Sequence, residues 1–346
     1  MRKTESAPTR SEKKYMLPVK LTCLTALLLI LSACGQGTEA DGQNGNGATA
    51  PDAAPQMATQ ATTKAAPSST IKSLRQRLET PRSNDVMVIA HRSCWHKAPE
   101  NSLASMQACI DMGVDMIEVD VRISADGILV VMHDETVDRT TNGMGRIDEM
   151  TLKQLKTLHL KENQGGPDAK LTDQKIPTLD EVLDAVRGKI LVNLDTKGEV
   201  LIRAMQAVTE RGMGEQILFK STLPPDDATL RNMRRPEGSY FMPVVREANG
   251  PLAKQVSDFE WANPIAFEVV FQSDSYLEEG AGAVTGSGVR LWVNTLWEGL
   301  AGNHTDEAAL TDPDSNWGYV LDQGTTMIQT DYPSQLINYL EGRGLR

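Results

Sequence analysis

MIEVDVR, at residues 116–122, alternates apolar with charged side chains and therefore predicts a β-strand. Alternate side chains of a strand face the same way, about 6.7 Å apart, so Glu118 and Asp120 share one face. Two neighbouring carboxylates repel each other unless one is protonated or a cation lies between them. A hard divalent ion, Mg²⁺ or Ca²⁺, prefers such oxygen ligands. The stretch predicts a strand with a metal-binding face, although a solvated strand face would give the same pattern.

A second strand repeats this alternation at residues 190–197, which read ILVNLDTK. Asn193, Asp195 and Lys197 share one face of it. A third carboxylate and an ammonium group could complete a metal site and hold an anionic ligand. An ion pair at the end of a strand would explain the fragment equally well. The second strand therefore indicates a metal site only in combination with the first.

Two histidines each end an apolar run: VMVIAH ends at His91 and ILVVMH ends at His133. Each lies where a buried strand would meet its loop. Imidazole titrates near neutral pH and can therefore donate or accept a proton in catalysis. A single histidine at a strand end is most often structural, but two beside a dicarboxylate strand predict an acid–base pair.

Residues 71–346 have the length of one (β/α)₈ barrel, and short apolar β runs alternate there with amphipathic helical stretches. Asn101 or Ser102 is expected to cap one helix, which should end at Gly113. Thr178 is expected to cap another, which should end at Gly188.

The same region contains nine candidate strands, one more than such a barrel needs. They span residues 86–91, 116–122, 128–133, 190–195, 216–221, 239–245, 265–271, 289–296 and 326–331. Only residues 123–127 separate the second from the third, which is too short for a crossover helix. The sequence therefore predicts an α/β fold, a (β/α)₈ TIM barrel with an irregular connection between its second and third strands.

A series of motifs in this region resembles the glycerophosphodiester phosphodiesterase family. The matching segments, in order, are HRS (91–93), PENS (99–102), EVD (118–120), DG (126–127), HD (133–134), RTTNG (139–143), LDTK (194–197), LWVNTL (291–296) and TDYP (330–333). The resemblance covers residues 86–335. It implies a TIM-barrel enzyme that hydrolyses glycerophosphodiesters, small-molecule substrates, to glycerol phosphate and an alcohol.

The resemblance also implies roles for the matched side chains, with one divalent metal ion, Mg²⁺ or Ca²⁺, as cofactor. His91 and His133 would be the general acid–base pair. The implied metal ligands are Glu118, Asp120 and Asp195, and the phosphate ligands are Arg92 and Lys197, with Glu100 at the rim of the site. Trp292 would pack either against the glycerol end of the substrate or inside the barrel.

Two positions depart from the family pattern. Ser93 stands where the family usually has glycine, so its backbone is less free to adopt a positive φ. Asp195 replaces the usual glutamate, as it does in a related group of sphingomyelin-cleaving phospholipases. A phospholipase D-like enzyme acting on sphingomyelin or lysophospholipid is therefore an alternative function. A solute-binding lipoprotein is a more distant alternative, because it would need no paired histidines.

Residues 1–34 resemble a bacterial lipoprotein signal peptide, with lysines before an apolar run and a lipobox, LSAC, that ends at Cys34. Residues 35–70 are rich in Ala, Gly, Thr and Pro, which predicts a disordered tether. A lipid anchor at Cys34 would hold the protein on the membrane in the bacterial cell envelope. If the cell has two membranes, the outer one is expected.

The chain carries a formal net charge of −11, which argues against nucleic acid as a partner. No obligatory protein partner is evident. Cys94 and Cys109 would lie in an oxidising compartment. Both are nevertheless expected to be reduced, because Cys109 should lie about two helical turns away from the loop that carries Cys94. A disulfide between them stays open as the alternative.

Overall fold

The structure is a computed structural model and describes residues 71–82, 84–196 and 199–346. The predicted signal peptide (1–34) and tether (35–70) lie outside these residues, so both remain predictions. Within the described ranges, no helix is both long enough and apolar enough to cross a bilayer.

A closed barrel of parallel strands forms the centre of the molecule. The strands are β1 (Met87–Ala90), β2 (Met116–Ile123), β3 (Leu129–Val131), β4 (Leu191–Asp195), β5 (Ile217–Ser221), β6 (Tyr240–Arg246), β7 (Ala266–Val270), β8 (Arg290–Asn294) and β9 (Met327–Thr330). All except β3 are parallel, and β1 pairs with both β2 and β9 to close the barrel. This confirms the predicted TIM barrel.

The extra strand is β3, which pairs antiparallel with β2. The two strands are joined by a tight turn in which the backbone N–H of Ser124 donates to the carbonyl of Ile128 over 2.9 Å. The irregular connection predicted between the second and third strands is therefore a hairpin. It leaves eight strands for the barrel.

The helices surround the barrel and begin largely where the capping residues predict. They are α1 (Ile71–Glu79), α2 (Leu103–Met112), α3 (Leu152–Leu155), α4 (Leu179–Val186), α5 (Glu199–Glu210), α6 (Ala228–Asn232), α7 (Leu252–Asp258), α8 (Asp274–Gly286), α9 (Asp306–Ala309), α10 (Tyr319–Asp322) and α11 (Pro333–Gly342). Ser102 caps α2, which ends at Gly113 with φ of 81°, and Thr178 caps α4. Both caps accept hydrogen bonds from backbone N–H groups of the first turn, as expected for helix starts.

The inside of the barrel is apolar at one end and polar at the other. Residues near the amino ends of the strands, such as Met116 and Leu218, pack with Leu74 and Leu78 of α1, which covers this end as a floor. Two positions further along, the inward side chains become polar, and Glu118 is an example. The functional site is therefore expected at the carboxyl ends of the strands, as in other barrels of this kind.

Trp292 belongs to the apolar floor, where its ring is 0% exposed. Its indole N–H donates to Asn294 two residues along β8. A ring that is enclosed by the floor cannot contact a substrate at the opposite end, so the prediction that Trp292 binds substrate is wrong. Its large side chain fills the barrel instead.

Arg290 fastens α1 to the barrel floor. Its guanidinium is 0% exposed and donates to the carbonyls of Arg77 and Leu78 near the end of the helix. It also donates to the carbonyls of Asp85 and Thr326, each over 3.0 Å. The last carbonyls of a helix have no partner within the helix, so a buried arginine is an effective way to satisfy them.

A segment between β3 and α4 forms a small apolar cluster of its own beside the barrel. Val137, Ile147, Leu155 and Leu160 are among its buried members. The segment begins with the loop that carries His133, so it positions that histidine over the carboxyl ends of the strands.

Cys94 and Cys109 form a disulfide, with their Cα atoms 5.4 Å apart, so the prediction that both are reduced is wrong. The spacing argument assumed a loop that leads away from α2. Instead, consecutive turns follow β1, and Arg92 and Ser93 have left-handed φ angles of 50° and 68°. The loop therefore turns back and places Cys94 beside the helix.

Candidate active site

Three carboxylates converge at the carboxyl ends of β2 and β4. Glu118, Asp120 and Asp195 each offer an oxygen, and these oxygens lie within 4.8 Å of one another. The register places Asp120 directly beside Asp195 on the neighbouring strand. The structure therefore brings together the three side chains that the sequence predicts as metal ligands.

The environment of this carboxylate cluster makes a bare negative charge costly. Burial raises the pKa of Glu118 well above its usual value, and the nearby Asp120 raises it further. The backbone N–H of Arg92 donates to Glu118 over 3.0 Å, and the amide of Asn101 donates to Asp120 over 3.0 Å. The donor set consists of carboxylate oxygens, which fits a hard divalent ion such as Mg²⁺ or Ca²⁺.

Lys220 of β5 joins the cluster, and the sequence analysis missed it. Its ammonium nitrogen lies 3.2 Å from Asp195 and 3.8 Å from Glu268 of β7. Burial disfavours the ammonium form, but these carboxylates outweigh it and raise the pKa of Lys220, which therefore stays charged. A lysine inside the apolar run ILFKS, two residues after the inward-facing Leu218, was the available signal.

His91 is held by a carboxylate from the last strand of the barrel. Its Nδ1 lies 2.8 Å from Asp331 Oδ1, which also accepts the indole N–H of Trp95 over 2.7 Å. Asp331 comes directly after β9, next to β1 in the barrel. The hydrogen bond fixes the ring and leaves Nε2 as the nitrogen available to a substrate.

His133 has the same arrangement with a different partner. Its Nδ1 lies 2.7 Å from Oδ1 of Asp134, the next residue in the chain. The guanidinium of Arg139 donates to Asp134 over 2.7 Å and holds the pKa of that carboxyl far below its usual value. His133 lines a small cavity together with Asp120 and Asp195, so it lies next to the carboxylate cluster.

Glu100 lies beneath the site and not at its rim, which corrects the prediction. It is 3% exposed and accepts hydrogen bonds from Arg139 over 2.8 and 3.0 Å. Arg92 also donates to it over 3.2 Å. A carboxylate paired with two arginines supports those side chains and is not itself available to a phosphate.

Arg92 lies over the carboxylate cluster, where the sequence predicts a phosphate ligand. Its Nε is 3.8 Å from Asp120 and has no hydrogen-bond partner among the described residues, although it is buried. A buried donor without a partner is costly, so a ligand oxygen would suit this position. Lys197, the second predicted phosphate ligand, lies outside the described residues.

Aromatic side chains surround His91 at the carboxyl ends of the strands, where the barrel opens. The indole of Trp297 is 49% exposed and lies 5.8 Å from the His91 ring, between ring centroids. Trp95 stacks on His96, and His96 contacts Tyr332. Trp297, in the loop after β8, is therefore an aromatic residue beside His91 that a ligand can contact, whereas Trp292 is not.

Comparisons with known sequences point to one family. Residues 91–228 match the glycerophosphoryl diester phosphodiesterase family, and residues 241–340 match a domain of unknown function. A glycerophosphodiester phosphodiesterase of Caldanaerobacter subterraneus is 37% identical over 142 residues, 39% of this chain and 57% of that protein. Human glycerophosphodiester phosphodiesterase 1 is 40% identical over 114 residues, 33% of this chain and 34% of that protein. The matches thus cover little more than half of the first relative and about a third of the second.

Solved structures share the fold over most of the chain. A Parabacteroides distasonis glycerophosphoryl diester phosphodiesterase has a TM-score of 0.62 and 21% identity, covering 80% of this chain and 93% of that one. An Oleispira antarctica phosphodiesterase, solved with the product sn-glycerol-3-phosphate, has a TM-score of 0.54 and 21% identity, covering 76% and 97%. The barrel, the ordered motifs and the matched sequence relatives thus agree, and residues 91–228 are the part of the chain that matches the glycerophosphoryl diester phosphodiesterase family.

Proposed function

We propose that the protein hydrolyses glycerophosphodiesters to glycerol phosphate and an alcohol, with one divalent metal ion as cofactor. The observation that carries the proposal is the meeting of three carboxylates with two carboxylate-held histidines at one end of the barrel. The match of residues 91–228 to the family supports the same reaction class. So does the glycerol-phosphate product that the Oleispira antarctica neighbour holds.

Glu118, Asp120 and Asp195 would hold the metal ion, Mg²⁺ or Ca²⁺. Bound there, the ion would offset negative charge on the phosphoryl oxygens of the substrate. Lys220 holds the Asp195 side chain in place, because its ammonium lies 3.2 Å from that carboxylate.

His91 and His133 would move the protons of the reaction. Asp331 and Asp134 accept the Nδ1 protons and so present Nε2 of each ring to the substrate. One histidine takes a proton from the attacking hydroxyl, which belongs either to water or to the neighbouring carbon of the glycerol. In the second case the product of attack is a cyclic phosphate, which a water molecule then opens to glycerol phosphate. The other gives a proton to the departing alcohol. The unpartnered Nε of Arg92, together with Lys197, would hold the phosphate oxygens.

The reaction is tested by measuring release of sn-glycerol 3-phosphate from glycerophosphocholine. We expect His91→Asn and His133→Asn each to lower kcat by about 10³-fold, because each loses one proton transfer. His159→Asn is the matched control, since His159 bonds a backbone carbonyl in the segment beside the barrel. Chelation should abolish turnover, and added Mg²⁺ or Ca²⁺ should restore it.

Near-normal turnover by either site variant would contradict the proposal. A loss of turnover supports it when the variant unfolds like the wild type. Release of choline from lysophospholipid at a higher rate than from glycerophosphocholine would instead favour the phospholipase D-like alternative. Binding without turnover would favour a solute-binding role.

We also propose that the mature chain is anchored by lipid on Cys34 in the bacterial cell envelope, facing the periplasm or the exterior. The lipobox and the preceding apolar run support this location. Labelled palmitate should be incorporated into the wild-type chain and not into Cys34→Ala. Equal labelling of both chains would contradict the anchor.

A further inference from the structure

A cavity of about 360 Å³ opens next to the carboxylate cluster, on the side of the barrel formed by β4, β5, β6 and β7. Asp195 and Lys220 border it where it meets the proposed metal ligands. Arg246, at the carboxyl end of β6, lines it where it faces solvent. A bound phosphodiester could therefore extend one of its two alcohols into this space, which we call the Arg246 cavity.

Lys220 and Arg246 differ in the charge that they leave available to a ligand. Lys220 lies between Asp195 and Glu268, so its charge is compensated by the protein. The exposed guanidinium of Arg246 has no ion pair or hydrogen bond with any of the described residues, and only the backbone of this residue forms hydrogen bonds with them. Its backbone N–H donates to Gln255 over 3.2 Å, and its carbonyl accepts from the same side chain over 2.8 Å. The arginine is thus held in place with an uncompensated charge.

The rest of the cavity lining combines polar side chains with three apolar ones, Leu201, Leu223 and Val244. Ser221 and Thr222 follow β5 and present hydroxyl groups, while Glu268 has a buried carboxylate oxygen with no hydrogen-bond partner. Quaternary ammonium groups are recognised by aromatic cages, and no aromatic side chain among the described residues lines this cavity. The aromatic side chains lie instead around His91. The chemistry of the cavity therefore suits hydroxyl groups and an anion.

We propose that the Arg246 cavity is a head-group subsite that takes an alcohol bearing a second anionic group, a carboxylate or a phosphate. Arg246 determines this specificity by pairing with that anion. The inference rests on the proposed function, because it takes the scissile phosphate to be bound at the carboxylate cluster. Preferred substrates are then glycerophosphodiesters of anionic alcohols, and not of choline.

The test uses pairs of diesters that differ by one anion. Glycerophosphoserine differs from glycerophosphoethanolamine by a carboxylate, and glycerophosphoinositol 4-phosphate differs from glycerophosphoinositol by a phosphate. We expect Arg246→Gln to lower kcat/KM about 10- to 100-fold for the member with the extra anion, the loss typical of a charge-assisted pair. The other member should change less than about threefold, which is within the scatter of such measurements for a side chain that does not contact the substrate. If kcat/KM falls for the anionic member of only one pair, the anion of that pair, a carboxylate or a phosphate, is the one that the subsite binds.

Two further variants sharpen the test. Arg246→Lys keeps the charge and should recover part of the lost kcat/KM. Arg203→Gln removes an exposed arginine from α5, outside the cavity, and should leave both members of each pair unchanged. An equal loss for both members after Arg246→Gln would overturn the proposal, and so would no loss for either.

Calorimetric binding separates this inference from the proposed function. The same diesters are titrated into His133→Asn, with and without Arg246→Gln. If Arg246→Gln weakens the binding of only the anionic members, the subsite is supported. This holds even if the wild-type protein hydrolyses none of the diesters, and only the proposed function then fails. Equal binding in both proteins overturns the subsite even if hydrolysis is observed.

Discussion

At the scale of single residues, Arg139 connects the two halves of the candidate site. It donates to Asp134, which holds His133, and to Glu100, which also pairs with Arg92. One guanidinium therefore helps to position a proposed acid–base histidine and a proposed phosphate ligand. Arg139 is the first residue of the RTTNG motif, so the structure gives that part of the motif a physical role.

Replacing Arg139 should destabilise the protein as well as the site. We expect Arg139→Gln to lower the free energy of unfolding by about 2–3 kcal/mol, because Glu100 would stay buried with one weaker partner. Urea denaturation at neutral pH measures this change. Arg146→Gln is the control, since the ion pairs of Arg146 are exposed and its loss should change stability little. Equal effects of the two substitutions would refute the role given to Arg139.

Strand periodicity predicted the carboxylates and histidines of the site, because it places every second side chain on one face. Glu118 and Asp120 therefore meet Asp195 as expected. The same periodicity could not tell how far along the barrel a side chain lies. For this reason the sequence left two positions open for Trp292, against the substrate or inside the barrel, and the structure places it in the floor. Asp331 lies within the TDYP motif, but its pairing with His91 depends on closure of the barrel, which no local pattern encodes.

At the scale of elements, the short helix α9 stabilises the loop that orients His91. Its first residue, Asp306, is fully enclosed and accepts the backbone N–H of Asp331 over 2.7 Å. It also accepts the hydroxyl of Thr295 and the indole N–H of Trp317. Burial raises the pKa of Asp306 to about 7, even though these donors favour the charged form.

This raised pKa predicts how stability depends on pH. The folded state binds the Asp306 proton more tightly than the unfolded state, whose pKa is near 3.8. The contribution of Asp306 to the free energy of unfolding is therefore largest below about pH 4 and falls, by up to about 1.4 kcal/mol per pH unit, until about pH 7. The side chain of Asp306→Asn cannot titrate. The free energy of unfolding of the wild type, relative to that of the variant, should therefore fall from pH 4 to pH 7. If the difference in the free energy of unfolding between the two proteins stays constant from pH 4 to pH 7, the raised pKa of Asp306 is contradicted.

The disulfide links the loop after β1 to α2 and should stabilise both. Replacing Cys94 and Cys109 with alanine should lower the free energy of unfolding by about 3 kcal/mol, since the bond closes a loop of 15 residues in the unfolded chain. Dithiothreitol should lower the melting temperature of the wild type and leave that of the double variant unchanged. If the reductant acts equally on both proteins, the bond does not contribute as described.

Helix starts and stops were predictable because capping depends on neighbours in the chain. Ser102, Gly113 and Thr178 all act as their residue types suggest. The disulfide was not predictable in this way, because it depends on two consecutive left-handed residues, Arg92 and Ser93. Neither is a glycine, so their residue types do not indicate that the chain reverses there.

At the scale of the whole molecule, the floor and the site are separated along the barrel axis. Arg290→Met should therefore lower the free energy of unfolding by about 3–5 kcal/mol, because buried carbonyls of α1 and its neighbours lose their donor. The kcat of the folded variant should stay within about twofold of wild type, since no substrate contact is removed. Urea denaturation and steady-state kinetics measure the two effects. Arg187→Met, on the exposed end of α4, is the matched control.

The barrel itself was predictable from nine apolar runs and the spacing between them. Parallel neighbours need a long crossover, so the five residues between the second and third runs predicted an irregular connection there. The structure identifies the third run, β3, as the strand outside the barrel. Which side of the mouth carries Arg246 and which carries Trp297 was not predictable. Both residues lie at or after strand ends, and their separation depends on the order of the strands around the closed barrel.

The position of α1 has a consequence for how the proposed lipid anchor is attached. Ile71, the first residue of α1, packs against the apolar floor of the barrel. The chain therefore enters the barrel at the end opposite the carboxylate cluster, and a lipid on Cys34 would be joined to the barrel through that end.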